Sequence, residues 1–156
     1  MTTTLESTRT YSIVHIDDIT LGIPIDRVRE INQNMNIVPV PGAPRIVRGI
    51  INLRGAVLTV IDVRAALRLP VRDDLTECCN IIVSCDDETV ALLVDSVGNF
   101  VDASPTDVNS APGNVNAVAG EYLTGILNRD DHLVGIIDID ALLLLDEHTD
   151  ATNANA

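Results

Sequence analysis

Few residues in this chain have the type and spacing that chemistry needs. Asp130, Asp131 and His132 form a compact polar run that could hold a metal or pass a proton. A single tight β-turn accounts for the same three residues equally well. Asp138-Ile139-Asp140 alternates two carboxylates, too small and local a set for a metal cage without further ligands. The three cysteines are Cys78, Cys79 and Cys85, and neither a CxxC spacing nor a Cys/His cluster accompanies them. Reduced, partly buried thiols are the expected state, and a structural zinc is not. Ser84 and Ser96 have no neighbouring histidine, although triad members need meet only in space. All ten cationic residues are arginine. Without lysine there is no P-loop and no Schiff base, and Gly42, Gly49 and Gly55 do not form a phosphate-binding run. With 2% aromatic residues there is no stacking platform for single-stranded nucleic acid. The expectation is a protein that is not an enzyme and carries no cofactor.

The sharpest local feature is Asn52-Leu53-Arg54-Gly55, set between the strand-like runs 47–51 and 56–61. Asn and Gly supply the backbone angles of a tight reversal, which puts Arg54 at or beside a hairpin bend. A guanidinium there can grip a carboxylate with two parallel hydrogen bonds. It either ties the turn to its own sheet or recognises a partner, and the residues alone leave both readings open.

The elements that must position this turn are mainly β. Runs 12–16, 20–23, 56–61, 80–84 and 90–94 are rich in Val, Ile and Leu and are separated by Gly, Pro, Asp or Asn. Asp17-Asp18 and Asp86-Asp87 read as hairpin turns. Short helices are expected at 24–32, 63–69 and 139–146, and loops at 39–44 and 104–113. The 156 residues, 46% of them hydrophobic, suffice for one domain or two small packed units. No apolar run approaches the roughly 20 residues of a membrane span, and the polar start lacks a secretory pattern. The cytoplasm is the default compartment.

A net charge of −13 disfavours binding to duplex nucleic acid and suits a cytoplasm of high salt, where screening removes self-repulsion. The charge is uneven. Residues 23–72 carry eight arginines against Asp26, Glu30 and Asp62, a net of +5, and the rest of the chain carries −18. That stretch is either a contact surface for an acidic partner or a mate for the chain's own acidic half.

The sequence repeats itself. Residues 12–31 align without gaps on 81–100, sharing Ile13/Ile82, Asp17/Asp86, Thr20/Thr89 and Val28/Val97. Residues 49–67 align on 125–143, sharing Gly49/Gly125, Asn52/Asn128, Asp62/Asp138 and Leu67/Leu143. Two halves, about 12–69 and 80–145, therefore read as two small barrels, since closure removes sheet edges. The repeat does not say whether the barrels exchange strands. Residues shared by both halves are scaffold, and Asp62 and Asp138 are expected to be helix N-caps. Residues that differ are better candidates for function. Leu53-Arg54-Gly55 stands opposite Arg129-Asp130-Asp131, and Val28-Arg29-Glu30 opposite Val97-Gly98-Asn99.

The string 47–67 resembles the central signature of the chemotaxis coupling family CheW, and 25–31, 40–44, 93–97 and 121–125 add to the resemblance. The resemblance covers about residues 11–145, with 1–10 and 146–156 expected to be flexible tails. It implies two SH3-like five-stranded β-barrel subdomains with short helices. It also implies a non-enzymatic adaptor that couples chemoreceptors to the histidine kinase CheA. The partners implied are the CheA regulatory domain and the cytoplasmic tips of the receptors, without nucleic acid and without membrane insertion. The location implied is the cytoplasm, recruited to receptor arrays. Positions matching the receptor-contact motif are Val28, Glu30, Gly49 and Arg54, with Arg29, Asn52 and Leu53 as neighbours. The kinase contact is not placed by residue. A bulky residue at Gly49 is expected to abolish receptor binding with the fold intact. Alternatives are a CheW-like scaffold for another receptor or kinase and, further off, a small metal-dependent enzyme around Asp130, Asp131 and His132.

Overall fold

The computed structural model describes residues 8–33, 36–85, 87–109, 122–129 and 132–143. The hairpin β1 (Arg9–Ile16) and β2 (Ile19–Pro24) turns at Asp17-Asp18, where Asp17 takes φ 52°, a left-handed angle that Asp tolerates. β1 begins inside the segment expected to be a tail. A three-residue 3-10 turn, Ile25–Arg27, then leads to β3 (Val28–Gln33). The helix expected over 24–32 is therefore a turn followed by a strand. Ile25, Val28 and Ile31 mimic a helical stripe, but the β-branched residues gain a full ladder by pairing with β6. β4 (Val47–Leu53) and β5 (Ala56–Asp62) form the Arg54 hairpin, and α1 (Val63–Ala66) follows.

The second half repeats the order. β6 (Cys79–Cys85), β7 (Glu88–Val94) and β8 (Ser96–Ala103) precede a short 3-10 turn, Pro105–Asp107, and β9 (Val108–Asn109). β10 (Leu123–Arg129), β11 (His132–Ile137) and the helical residues 139–143 (α2) complete it. The sequence reading had no strand at β8. The expected loop 104–113 holds the turn and β9, and its remainder lies outside the described residues, as do Asp86, Asp130, Asp131 and the tail beyond 143.

The sheets do not follow the halves. One sheet runs β8-β1-β2-β11-β10-β9 and the other β3-β6-β7-β5-β4. Each therefore takes two adjacent interior strands from the hairpin of the opposite half. Under the repeat the two orders are equivalent strand for strand. The bulges recur too, between Val47 and Gly49 in one sheet and between Leu123 and Gly125 in the other. Val38 bridges Ile50 as Asn109 pairs with Ile126.

Among the described residues the core has three parts. A shared cluster between the sheets includes Val14, Ile16, Leu21, Ile61, Ile81, Val83, Leu92 and Leu142. The first sheet keeps a private cluster of Tyr11, Ile13, Leu127, Val134 and Ile136. The second keeps Ile51, Leu58, Val60, Ile82, Ala91 and Leu93. Within β7 the residues alternate between shared and private clusters, so both faces are buried and the strand reads as an unbroken apolar run.

Candidate functional site

The Arg54 turn closes the β4–β5 hairpin with two residues, since Leu53 pairs directly with Ala56. Arg54 at φ 51° and Gly55 at φ 90° give the doubly left-handed bend that matches strand twist. Asn52 braces it, its Oδ1 accepting from the Gly55 amide at 2.8 Å. The guanidinium of Arg54 is thereby held away from the hairpin with 73% of its side chain exposed.

Its fork meets Glu30. Arg54 Nη1 donates to Glu30 Oε2 at 2.6 Å and Nη2 to Oε1 at 2.9 Å. Asn32 Nδ2 adds a third donor to Oε1 at 3.1 Å. The Arg54 hydrogen bond, followed by that of Asn32, holds the Glu30 carboxyl below the usual carboxylate range. In return the Glu30 bond raises Arg54 further. β3 and β4 are opposite edges of their sheet, four strand spacings apart, or about 19 Å if flat. A side-chain pair can join them only because the sheet curls. In the other sheet Arg129, at the tip of β10–β11, reaches the edge strand β8 in the same way, donating to the Asp102 carbonyl at 2.9 Å.

The other motif residues lie around this pair. Val28 is half-buried against the shared core. Arg29, at the bulge of β3, donates from Nε to Ser84 Oγ at 2.8 Å. Leu53 packs on the private cluster of its sheet. Gly49 is buried beside the Val38–Ile50 bridge. A Cβ there would stand 2.4 Å from the Val38 carbonyl oxygen and 2.9 Å from Ile37 Cγ2. Gly125 answers it, with a Cβ 2.8 Å from the Asn109 carbonyl oxygen and 2.7 Å from Val108 Cγ1. The close approach that Gly49 permits is filled by the chain's own 37–38 segment. This revises the expectation that a bulky residue there leaves the fold intact.

Of the remaining candidates, Asp62 and Asp138 are scaffold. Asp62 caps α1, Oδ1 accepting from the Arg64 and Ala65 amides at 3.0 and 3.4 Å, and Asp138 caps α2 through the Ala141 amide at 3.1 Å. His132 starts β11 and is exposed; Asp140 stands 3.9 Å from Arg27. Cys78 and Cys79 are buried free thiols, and burial raises the Cys78 pKa. Among the described residues no three His, Cys, Asp or Glu side chains gather as a metal site. Nor is any described helix long and apolar enough to cross a membrane.

The sequence reading missed Arg64. It is only 8% exposed, on α1, and donates to Asp95 through Nε at 2.9 Å and Nη2 at 2.6 Å, to the Pro70 carbonyl at 2.9 Å, and to Asp17. Asp17 also donates its amide to Asp95 Oδ2 at 2.9 Å. The cluster ties the β1–β2 turn of one sheet to the end of β7 in the other. Burial pushes the Asp95 carboxyl up, but the Arg64 bonds, the Asp17 amide and the nearby arginine charges outweigh it, so its pKa is lowered. The available signal was a charged residue inside the apolar run Val63-Arg64-Ala65-Ala66, which burial obliges to find a carboxylate.

A family model described as CheW-like domain matches residues 10–147. A Rhizobium etli protein named "Probable chemotaxis protein CheW" is 30% identical over 127 residues, covering 81% of this chain and 82% of its own length. The Rhizobium meliloti chemotaxis protein CheW is 28% identical over 132 residues, covering 85% of each. The crystal structure of the scaffolding protein TtCheW from Thermoanaerobacter tengcongensis superposes with a TM-score of 0.76 at 26% identity, covering 83% of this chain and 88% of that one. This chain belongs to the CheW-like family of chemotaxis coupling proteins.

Proposed function

We propose that the protein is a non-enzymatic adaptor that couples chemoreceptors to the histidine kinase CheA, and that the Glu30–Arg54 surface receives the receptor. The observation that carries the coupling role is the family match, which spans residues 10–147 and hence both sheets. The finer reading treats each sheet as an SH3-like barrel whose edges are tied by an arginine at the hairpin tip. The receptor's helical hairpin lies in the groove between the barrels, its apolar ridge against Val28 and its charged flank against Glu30 and Arg54. Arg29, Asn52 and Leu53 form the margin. Val57, opposite Asn52 and 65% exposed, extends it with apolar surface. Gly49 acts from behind by seating residues 37–38. The kinase's regulatory domain takes another surface, and the adaptor works in the cytoplasm at receptor arrays.

In concentrated salt the apolar contacts dominate affinity, because exposed ion pairs are screened. The test is co-sedimentation with receptor cytoplasmic fragments and purified CheA in multimolar KCl, together with kinase autophosphorylation. A ternary complex with altered kinase activity is the expected result. Binding to the kinase alone would point to a different upstream partner. Binding to neither, by a folded protein, would refute the coupling role.

A further inference from the structure

The sheet of β3–β7 carries a polar pair where the other sheet carries an apolar one. Asn32 of β3 stands directly opposite Asn80 of β6. Extending the repeat by one residue at each end matches Asn32 to Val101 and Asn80 to Tyr11, which also stand opposite each other. Tyr11 is buried in the private cluster of its sheet, and Val101 packs against that cluster. The fold therefore does not require amides at these positions. Asn80 is 2% exposed, and its Oδ1 finds no donor among the described residues. Such an oxygen costs stability that an apolar side chain would not. A donor stands across the ladder. Side chains directly opposite each other share a face, with Cβ atoms about 5 Å apart, and two amides can meet over that gap. Glu30, two residues before Asn32, lies on the same face of β3. Asn32 Nδ2 donates there, to Glu30 Oε1 at 3.1 Å, while the same carboxylate accepts the Arg54 fork. The Asn32 amide thus stands between two acceptors, one in the exposed ion pair and one in the private core.

We propose that the Asn32 amide has two seats: it rests on Glu30 while the Glu30–Arg54 pair is closed, and turns to Asn80 Oδ1 when the Glu30 carboxylate is drawn away. The terminal torsion of an asparagine is broad, so the turn needs no movement of the backbone. The bond given up at the surface is replaced by a buried one. Opening the pair then strands no amide and satisfies the orphaned oxygen. A partner that competes for Glu30 or Arg54 opens the pair at a smaller cost. That consequence rests on the Glu30–Arg54 surface receiving a partner; the two seats do not.

The test is NMR of the Asn32 side-chain amide in the full chain at constant KCl. In the parent, a scalar coupling across the hydrogen bond is expected to link Asn32 Nδ2 to the Glu30 carboxyl carbon. In Glu30→Ala it is expected to link Asn32 Nδ2 to Asn80 Cγ. Hydrogen exchange at the Asn32 side chain should stay within about twofold of the parent in Glu30→Ala, and about tenfold slower than at the exposed Asn36. Adding Asn80→Leu, a substitution of similar shape, removes the second acceptor and should bring Asn32 to the rate of Asn36. The proposal is overturned if Asn32 in Glu30→Ala couples to another acceptor or exchanges as fast as Asn36; neither reading requires Asn80→Leu to fold. The consequence for binding is read separately. Folded Asn80→Leu is expected to capture receptor fragments severalfold less well than the parent. Unchanged capture, with the two seats observed, would overturn that consequence alone.

Discussion

At the scale of residues, Arg54 makes the internal tie that the sequence allowed, and its recognition of a partner is a proposal. It ties its hairpin to β3, and its exposed guanidinium belongs to the proposed receptor surface. Exposed ion pairs contribute little to stability. Arg54→Gln is therefore expected to leave the melting temperature nearly unchanged while weakening capture of receptor fragments. The exchange Glu30→Arg with Arg54→Glu keeps an internal pair with its charges reversed; if that variant melts like the parent but does not capture receptor fragments, the role in recognition is separate from the tie. A loss of melting temperature in step with the loss of binding would assign Arg54 to scaffold alone. Arg64 is the contrasting case, buried and bonded to Asp95 and Asp17 at the junction of the sheets. Asp95→Asn leaves that guanidinium short of charge and is expected to cost about 2 kcal/mol at neutral pH. Because the folded-state pKa of Asp95 is lowered, its contribution is complete above the unfolded value near 4. It is lost as pH falls through the folded value. Denaturant melts of parent and variant should thus differ at pH 7 and converge once the pH falls below the lowered folded value. A gap that persists in acid would show that the variant acts through packing.

At the scale of elements, the two glycines at the β4 and β10 bulges make a matched pair. Gly49 and Gly125 each let a crossing segment pass where a Cβ would stand under 3 Å from backbone oxygen. Neither neighbour can yield as a flexible side chain would. Alanine at either position is expected to destabilise by about 2 kcal/mol, read from denaturant unfolding. Loss of receptor binding in a Gly49 variant then has to be compared with the Gly125 variant before it is assigned to contact. If Gly49→Ala alone loses binding at unchanged stability, Gly49 itself touches the receptor. What was legible in the sequence at this scale was local. The Asp17-Asp18 turn, the Arg54 bend and the caps Asp62 and Asp138 are each set by a few adjacent residues. β3 was misread because its apolar spacing fits a helix, and only its pairing with β6, some fifty residues away, decides for a strand. β8 escaped notice because Gly98 and Asn99 interrupt its apolar run at a bulge. Arg64 looked like one of eight solvated arginines until folding placed Asp17 and Asp95 on either side of it.

At the scale of the molecule, the exchange of hairpins follows from the length of the connectors. The repeat announces two similar units but cannot say which hairpin completes which sheet, because the hairpins are chemically alike. Suppose each half were self-contained, in the order β8-β6-β7. Then β7 and β8 would flank β6, about 10 Å apart. A single residue, Asp95, joins them. Two peptide steps from Val94 to Ser96 span at most about 7 Å, so β8 cannot cross β6 and instead joins the other sheet. Each sheet is then completed only by the opposite half. Charge divides along the same line: residues 1–75 carry nine arginines against eight carboxylates, and 76–156 one arginine against fifteen. The second half repels itself, so the melting temperature of the whole chain is expected to rise with KCl. Cutting the chain in the exposed stretch near Asp74 tests the exchange itself. The fragments 1–75 and 76–156 should each lack a cooperative melt, since each sheet loses two interior strands, whereas mixing them in concentrated KCl should restore one transition and one species of full-length size. A cooperative, monomeric 1–75 fragment would mean that β1–β2 can return to the sheet of β3–β5, and the connector would then set the exchange in the second half only.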